Sequence, residues 1–126
     1  MAVILKEVYD RLEAHELRIP FKERFLEPME QGIKVRTWRT RKYGIVNDTF
    51  PNGKSQYRLT RVERACMGSV PEYFREEGFR DREDAVQTLK EIFPANGYQP
   101  DRMGWAHWFE KKEKPSDDTP NDNPQP

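Results

Sequence analysis

The sequence predicts an α+β fold in which about five short antiparallel strands curl toward a small β-barrel, with helices beside them. Three observations carry this. Runs of β-branched and aromatic residues, as in Val35-Arg36-Thr37-Trp38 and Trp105-Ala106-His107-Trp108-Phe109, suit a pleated surface better than a helix. Helical spacings lie between such runs without the regular alternation of a parallel sheet, as with Ala85, Val86, Leu89, Ile92 and Phe93. Tight-turn signals such as Pro51-Asn52-Gly53-Lys54 join neighbouring runs as hairpins, so the strands should pair antiparallel.

In chain order, Ile4, Leu5, Val8 and Leu12 recur at helical spacing among charged residues, predicting an amphipathic first helix that caps the domain. Residues 15–19 alternate weakly and stop at Pro20, which suits a short strand or extended segment. Phe21, Phe25, Leu26 and Met29 mark one face of a helix over 21–31; Pro28 forces a break or restart inside it, and Gly32 ends it. A strand over 33–39 follows, then a loop at Arg41-Lys42-Tyr43-Gly44 and a short apolar stretch over 45–50. Residues 55–67 read as a long strand whose apolar positions are Tyr57, Leu59 and, after Thr60-Arg61, Val62. Residues 72–77 predict a short helix stopped by Gly78, and Asp81 or Arg82 opens another that Pro94 ends. A loop over 96–104 leads to a last strand over 105–109. From Lys111 charge, Pro, Asp and Asn displace apolar residues, so 112–126 is expected to be a disordered tail on a domain spanning 1–111.

A chain of 126 residues suffices for one core, and equal charged and hydrophobic fractions of 35% make that core modest and the surface heavily charged. The 22 basic residues cancel the 22 acidic ones overall, but not locally. Between positions 33 and 64 nine basic residues face only Asp48 and Glu63, a local net of +7 whose field favours phosphate-bearing partners. The other reading is a solvated sheet face balanced by acidic neighbours in space. Cys66 is the only cysteine, which excludes an intrachain disulfide and a cysteine-built metal site and fits a reducing cytoplasm. It reads as a small core residue, not a nucleophile. His15 and His107 are too few and too separated for a metal cluster, so no metal or cofactor is expected. No apolar run approaches the ~20 residues of a transmembrane helix, and 1–5 is too short for a signal-peptide core, so a soluble, monomeric protein without membrane contact is expected.

The stretch Gly32-Ile33-Lys34-Val35-Arg36-Thr37-Trp38-Arg39 concentrates chemistry, with an amine, a hydroxyl and two guanidiniums within eight residues. Strict alternation sends Lys34 and Arg36 to one face and Thr37 and Arg39 to the other. Lys34 and Thr37 therefore converge only if Lys34 sits in the turn or a bulge intervenes. Arg36, Arg39, Arg41, Lys42 and Arg58 are expected to border an RNA-binding cleft. Trp38, Trp105 and Trp108 read mostly as core, although one of them, or Tyr43, can stack on a base there.

Two motifs, Gly32-x-Lys34-x-x-Thr37-x-Arg39 and Glu77-Gly78-Phe79, occur with Asn47-Asp48-x-Phe50 between them and Ile92-Phe93-Pro94 and Trp108-Phe109-Glu110 after them. In this order and spacing the chain, over about residues 15–110, resembles the ASCH family, a branch of the PUA-like superfamily. The resemblance implies a PUA-like β-barrel with a cleft for RNA or a modified nucleoside. Some similar proteins are amidohydrolases of N4-acetylcytidine, whose lysine and threonine match Lys34 and Thr37 and whose glutamate falls on Glu77, with Glu76 its neighbour. Other ASCH proteins are proposed RNA-binding or RNA-cleaving modules. Asn47 departs from the glycine usual before Asp48, a change that survives because Asn tolerates the left-handed conformation. The first helix is an addition to the family pattern.

The chemistry of these residue types is consistent with hydrolysis. A threonine hydroxyl needs an adjacent base, which a desolvated Lys34 of lowered pKa supplies, while Glu77 holds an amine or moves a proton. Arg39 suits a phosphate or an oxyanion. Each residue also has a plain reading: Thr37 as an ordinary strand residue, Lys34 as a cation at a helix C-terminus, Glu77 as a solvated helix residue. A non-catalytic protein-interaction module is the rival if the basic residues prove scattered over several faces.

Overall fold

The computed structural model describes residues 15–112, so the expected first helix and the tail beyond 112 lie outside the described residues. Strand β3 (Ser55–Cys66) shows how sequence becomes sheet. Ser55, Tyr57 and Leu59 are buried, while Gln56, Arg58 and Thr60 are not. Between Leu59 and Arg61 the register shifts and Thr60 is left unopposed. That bulge reverses the alternation, which is why Val62, and not Arg61, packs against the core. It also adds local twist, and the sheet curls into a half-barrel.

Four antiparallel strands make the sheet, β1 (Arg36–Arg39), β2 (Thr49–Asn52), β3 and β4 (Met103–Lys112), in the order β1-β4-β3-β2. The fold is α+β as expected, with four strands where about five were anticipated. Strand β4 outruns its expected span of 105–109, because the length of β3 offers backbone partners as far as Lys111↔Tyr57 and Lys112↔Gln56. Polar side chains at 110–112 are no obstacle once the ladder is supplied, so the strand includes Lys112. The apolar stretch expected over 45–50 yields a strand only from Thr49, and Pro51 lies inside it. As β2 is an edge strand, the missing Pro51 N–H need not interrupt the ladder. The turn then falls on Gly53 and Lys54, with Asn52 paired to Ser55.

The expected helix over 21–31 is split. A 3-10 turn at Glu23–Phe25 precedes α1 (Leu26–Glu30), and Pro28 falls in the first turn of α1, where an N–H has no helical partner. Gly32, at φ +77°, closes α1 in a Schellman motif: its N–H donates to Met29 O (3.1 Å) and the Ile33 N–H to Pro28 O (2.9 Å). The short helix expected over 72–77 forms earlier, as α2 (Ser69–Glu72), followed by turns to Gly78. Its start is fixed by the Ser69 hydroxyl, which donates to Cys66 O at 2.7 Å, and by the burial of Val70 and Pro71. Helix α3 (Arg82–Ile92) matches expectation; the Asp81 carboxylate caps it by accepting from Asp84 N at 2.7 Å, and Ala85 and Leu89 are buried one turn apart. Asn47 has φ +80°, as its place in the turn before Asp48 requires.

The core gathers aromatic side chains from β1 to β4. Phe50 stacks on Tyr57 at 5.6 Å and meets Phe109 edge-on at 5.4 Å. Phe25, Met29, Val70, Phe79, Ala85 and Leu89 continue it toward the helices. Among the described residues no helix is long and apolar enough to cross a membrane.

Candidate functional site

Two turns bring the chemistry together. The Schellman turn at Gly32 releases residues 33–35 as irregular chain before β1, with the Val35 and Arg36 N–H groups both donating to Glu76 O (2.8 and 3.0 Å). Lys34 therefore lies in the connection and not in the strand, the condition under which it can share a wall with Thr37. Across from it, the turn 73–78 ends at Gly78 with φ +92°, where an added Cβ would come within 3.1 Å of Lys34 Cβ and Cδ. Only a glycine lets the Glu77 backbone approach Lys34 so closely.

Lys34, Arg36 and Glu77 are each at most 3% exposed. The Lys34 ammonium donates to Glu77 O (2.5 Å) and Arg36 O (2.9 Å), stands 3.8 Å from Glu77 Oε1 and lies 4.4 Å from the Phe25 ring centre. Arg36 Nη1 donates to Glu77 Oε2 at 2.8 Å and Nη2 to Ser69 Oγ at 2.9 Å. Burial pushes the Lys34 pKa down to about 8, against the pull of Glu77, and pushes Glu77 up, against Lys34 and Arg36. The two cations Lys34 and Arg36 share this one carboxylate. Thr37 accepts from Arg39 Nε at 3.0 Å, and Arg39 Nη2 donates to Pro20 O at 2.6 Å.

Lys34, Thr37, Arg39, Arg41 and Glu77 line one cavity of about 540 Å³. Aromatic and aliphatic side chains make up much of the remaining wall, among them Phe21, Trp38, Tyr43, Val70, Phe79 and Phe93. The structure thus brings the three residues of the expected hydrolytic set to one space. Glu77, and not Glu76, reaches that cavity.

The expected RNA-binding residues divide. Arg39 and Arg41 line the cavity, and Arg41 lies 4.3 Å from the Tyr43 ring centre. Burial raises the Tyr43 pKa, yet the Arg41 and Arg39 guanidiniums outweigh it and hold the phenol below its usual range. Lys42 lies instead at Trp105, 5.2 Å from the ring centre, and lines a separate shallow recess with His15, Gly44 and Asp48. Arg58 is on β3, where its guanidinium bonds the Glu110 carboxylate, and it does not line the cavity. Arg36 departs furthest from expectation: it is 1% exposed and committed to Glu77 and Ser69, with Tyr73 and Trp108 rings at 4.6 and 5.3 Å. A guanidinium so enclosed meets no external phosphate. The expectation rested on the positive charge of the 33–64 stretch, which does not reveal that the 73–78 turn delivers a buried carboxylate to Arg36.

His107 was set aside in the sequence as one of two isolated histidines, but it positions the site. Fully buried on β4, its Nε2 accepts from the Tyr43 N–H (3.0 Å) and its Nδ1 stands 3.3 Å from Thr37 O. These partners assign the proton to Nδ1. Burial drives the imidazole pKa down to about 4, so the ring is neutral at pH 7. It joins the loop carrying Arg41 and Tyr43 to the strand carrying Thr37. A histidine amid alternating aromatics was the available signal.

No family model matches the sequence, and no curated protein matches it. The fold is similar to three solved structures. Protein EF3133 from Enterococcus faecalis V583, described under the family model DUF984, is 17% identical with a TM-score of 0.54, covering 87% of this chain and 90% of its own. The hypothetical protein PH0355 is 14% identical with a TM-score of 0.57, covering 79% and 100%. Protein PF0455 from Pyrococcus furiosus, solved in solution by NMR, is 17% identical with a TM-score of 0.54, covering 79% and 99%. At these identities the likeness is one of fold: the curled sheet and its helices recur as a nearly complete small protein in each.

Proposed function

We propose that the cavity binds a nucleoside or a nucleotide of RNA, its base against the aromatic wall and its polar groups toward Lys34, Thr37, Arg39 and Arg41. The observation that carries this reading is the meeting of flat apolar surface, in a single cavity of about 540 Å³, with the Arg39 and Arg41 guanidiniums, which pair with no carboxylate among the described residues. That volume lies within the roughly 300–1,000 Å³ of small-molecule sites. Aromatic faces accept any base by stacking, and a guanidinium binds phosphate by paired hydrogen bonds. The motif resemblance to ASCH and PUA-like proteins agrees with it. The test is titration with RNA at two salt concentrations, using wild type and the Arg39→Ala, Arg41→Ala double variant. Binding should weaken with salt and fall in the variant. Undetectable binding at low salt, or binding unaffected in the variant, removes the proposal.

A second reading, hydrolysis of an acylated nucleoside such as N4-acetylcytidine, is favoured by the surroundings of Lys34. A neutral amine has two N–H bonds and a lone pair, and Lys34 has two carbonyl acceptors within hydrogen-bond length while Glu77 Oε1 stands beyond it at 3.8 Å. Burial that brings the Lys34 pKa down to about 8 puts the free base within reach near neutral pH. Thr37 accepts a hydrogen bond from Arg39, so its own O–H is left to donate. In this reading the Thr37 oxygen adds to the acetyl carbonyl as Lys34 takes its proton. Return of that proton to the departing amino nitrogen releases cytidine, and water then cleaves the acetyl-threonine. Incubation with N4-acetylcytidine should yield cytidine and acetate, and Lys34→Ala should abolish the yield while the protein stays folded. No turnover by wild type, with RNA binding retained, leaves the plain binding module.

A further inference from the structure

The cations of this protein are not used alike. Arg24, Arg36, Arg58 and Arg61 each pair with a carboxylate, at Asp84, Glu77, Glu110 and Glu63 respectively. Lys22, Arg39 and Arg41, which line the cavity, pair with none among the described residues. Among the described residues Glu77 is the only acidic one lining the cavity, and Arg36 pairs with it from outside that lining. Arg39 is held as a rigid fixture, Nε on Thr37 Oγ1 and Nη2 on Pro20 O, with the Tyr43 phenol beside it, and its five N–H groups are more than these partners use. Its guanidinium is flanked by the Phe21 and Tyr43 rings, at 4.8 and 5.6 Å. Arg41 lies over the Tyr43 ring and is exposed. A preorganised guanidinium with a spare donor, a second beside it and a lysine on the same wall make a receptor for a dianion, not for a neutral molecule.

Resting on the nucleoside reading above, we infer that the ligand is a nucleoside monophosphate, its phosphate held by Arg39 and Arg41 and its base enclosed by the apolar wall. A neutral nucleoside fills the aromatic part and leaves the unpaired cations facing one another. A phosphate relieves that repulsion and satisfies the spare donors. Inorganic phosphate alone gains the cations but none of the stacking, so both halves are needed for affinity.

Calorimetric titration of the full chain with cytidine, cytidine 5′-monophosphate, adenosine, adenosine 5′-monophosphate and inorganic phosphate tests this, in wild type and in Arg41→Ala. The monophosphates should bind about ten- to a hundredfold tighter than their nucleosides, the ratio expected of charge-assisted hydrogen bonds. Inorganic phosphate should bind more weakly than either monophosphate. Arg41→Ala should weaken the monophosphates about tenfold more than the nucleosides, since it removes one of the two guanidiniums that hold the phosphate. Equal affinity for nucleoside and monophosphate overturns the inference and leaves nucleoside binding standing. So does an Arg41→Ala variant that weakens both equally. Binding of none of the probes removes both readings together.

Discussion

Lys34, Arg36 and Glu77 form a buried charge cluster that holds the turn 73–78 against the start of β1. Removing the carboxylate that the two cations share costs more than the cluster itself is worth, because both cations are then stranded without water, whereas loss of Lys34 leaves Arg36 paired with Glu77. Glu77→Ala strands two cations and should lower stability by about 3–5 kcal/mol, read as a shift in the urea midpoint at pH 7. A loss below about 1 kcal/mol would mean that water reaches the cluster. His107 gives the pH dependence. Its folded pKa of about 4 lies below the unfolded value of 6.5, so between them the unfolded chain binds more protons. Stability from this residue is full above pH 6.5 and is lost as pH falls toward 4, by up to about 3 kcal/mol. In urea titrations at pH 6.5 and 4.5, wild type should lose more stability on acidification than His107→Gln, whose side chain does not titrate. Equal losses would show that His107 ionises freely in the folded protein.

At the scale of elements, the parts legible in the sequence were those decided locally. Pro28 marked the restart at α1, Gly32 its end, Asp81 the cap of α3, and Thr60-Arg61 the change of phase in β3. Elements decided by partners were displaced. Strand β4 is longer than its apolar residues suggest because β3 supplies the ladder, and α2 starts early because Ser69 and Val70 have a core to enter. The candidate site follows the same rule. That Lys34, Thr37 and Glu77 could meet was readable from the motifs, whereas the burial of Arg36 depended on a carboxylate 41 residues away. Gly78 makes that meeting geometric. Its φ of +92° and the 3.1 Å approach of Lys34 to an added Cβ predict that Gly78→Ala destabilises by about 1–3 kcal/mol. Thermal unfolding checks it, and an unchanged midpoint would mean that the turn relaxes without disturbing Lys34.

For the molecule as a whole, the α+β class and antiparallel pairing were legible because strand composition and hairpin signals agree with each other. The charge surplus between positions 33 and 64 was legible as a number but not as a shape. Folding divides it among a buried cluster at Arg36, a cavity wall at Arg39 and Arg41, and exposed β3 positions at Arg58, Arg61 and Arg64. The cavity share sets guanidiniums beside aromatic surface in a space that a ligand can enter. The claim that this cavity is the ligand site is tested most directly by following backbone amide shifts of the labelled protein during titration with cytidine 5′-monophosphate. The shifts should share one binding curve and gather at Phe21, Lys34, Thr37, Arg39, Tyr43 and Glu77. Shifts gathered instead around Arg58, Arg61 and Arg64, or none at millimolar ligand, would contradict it.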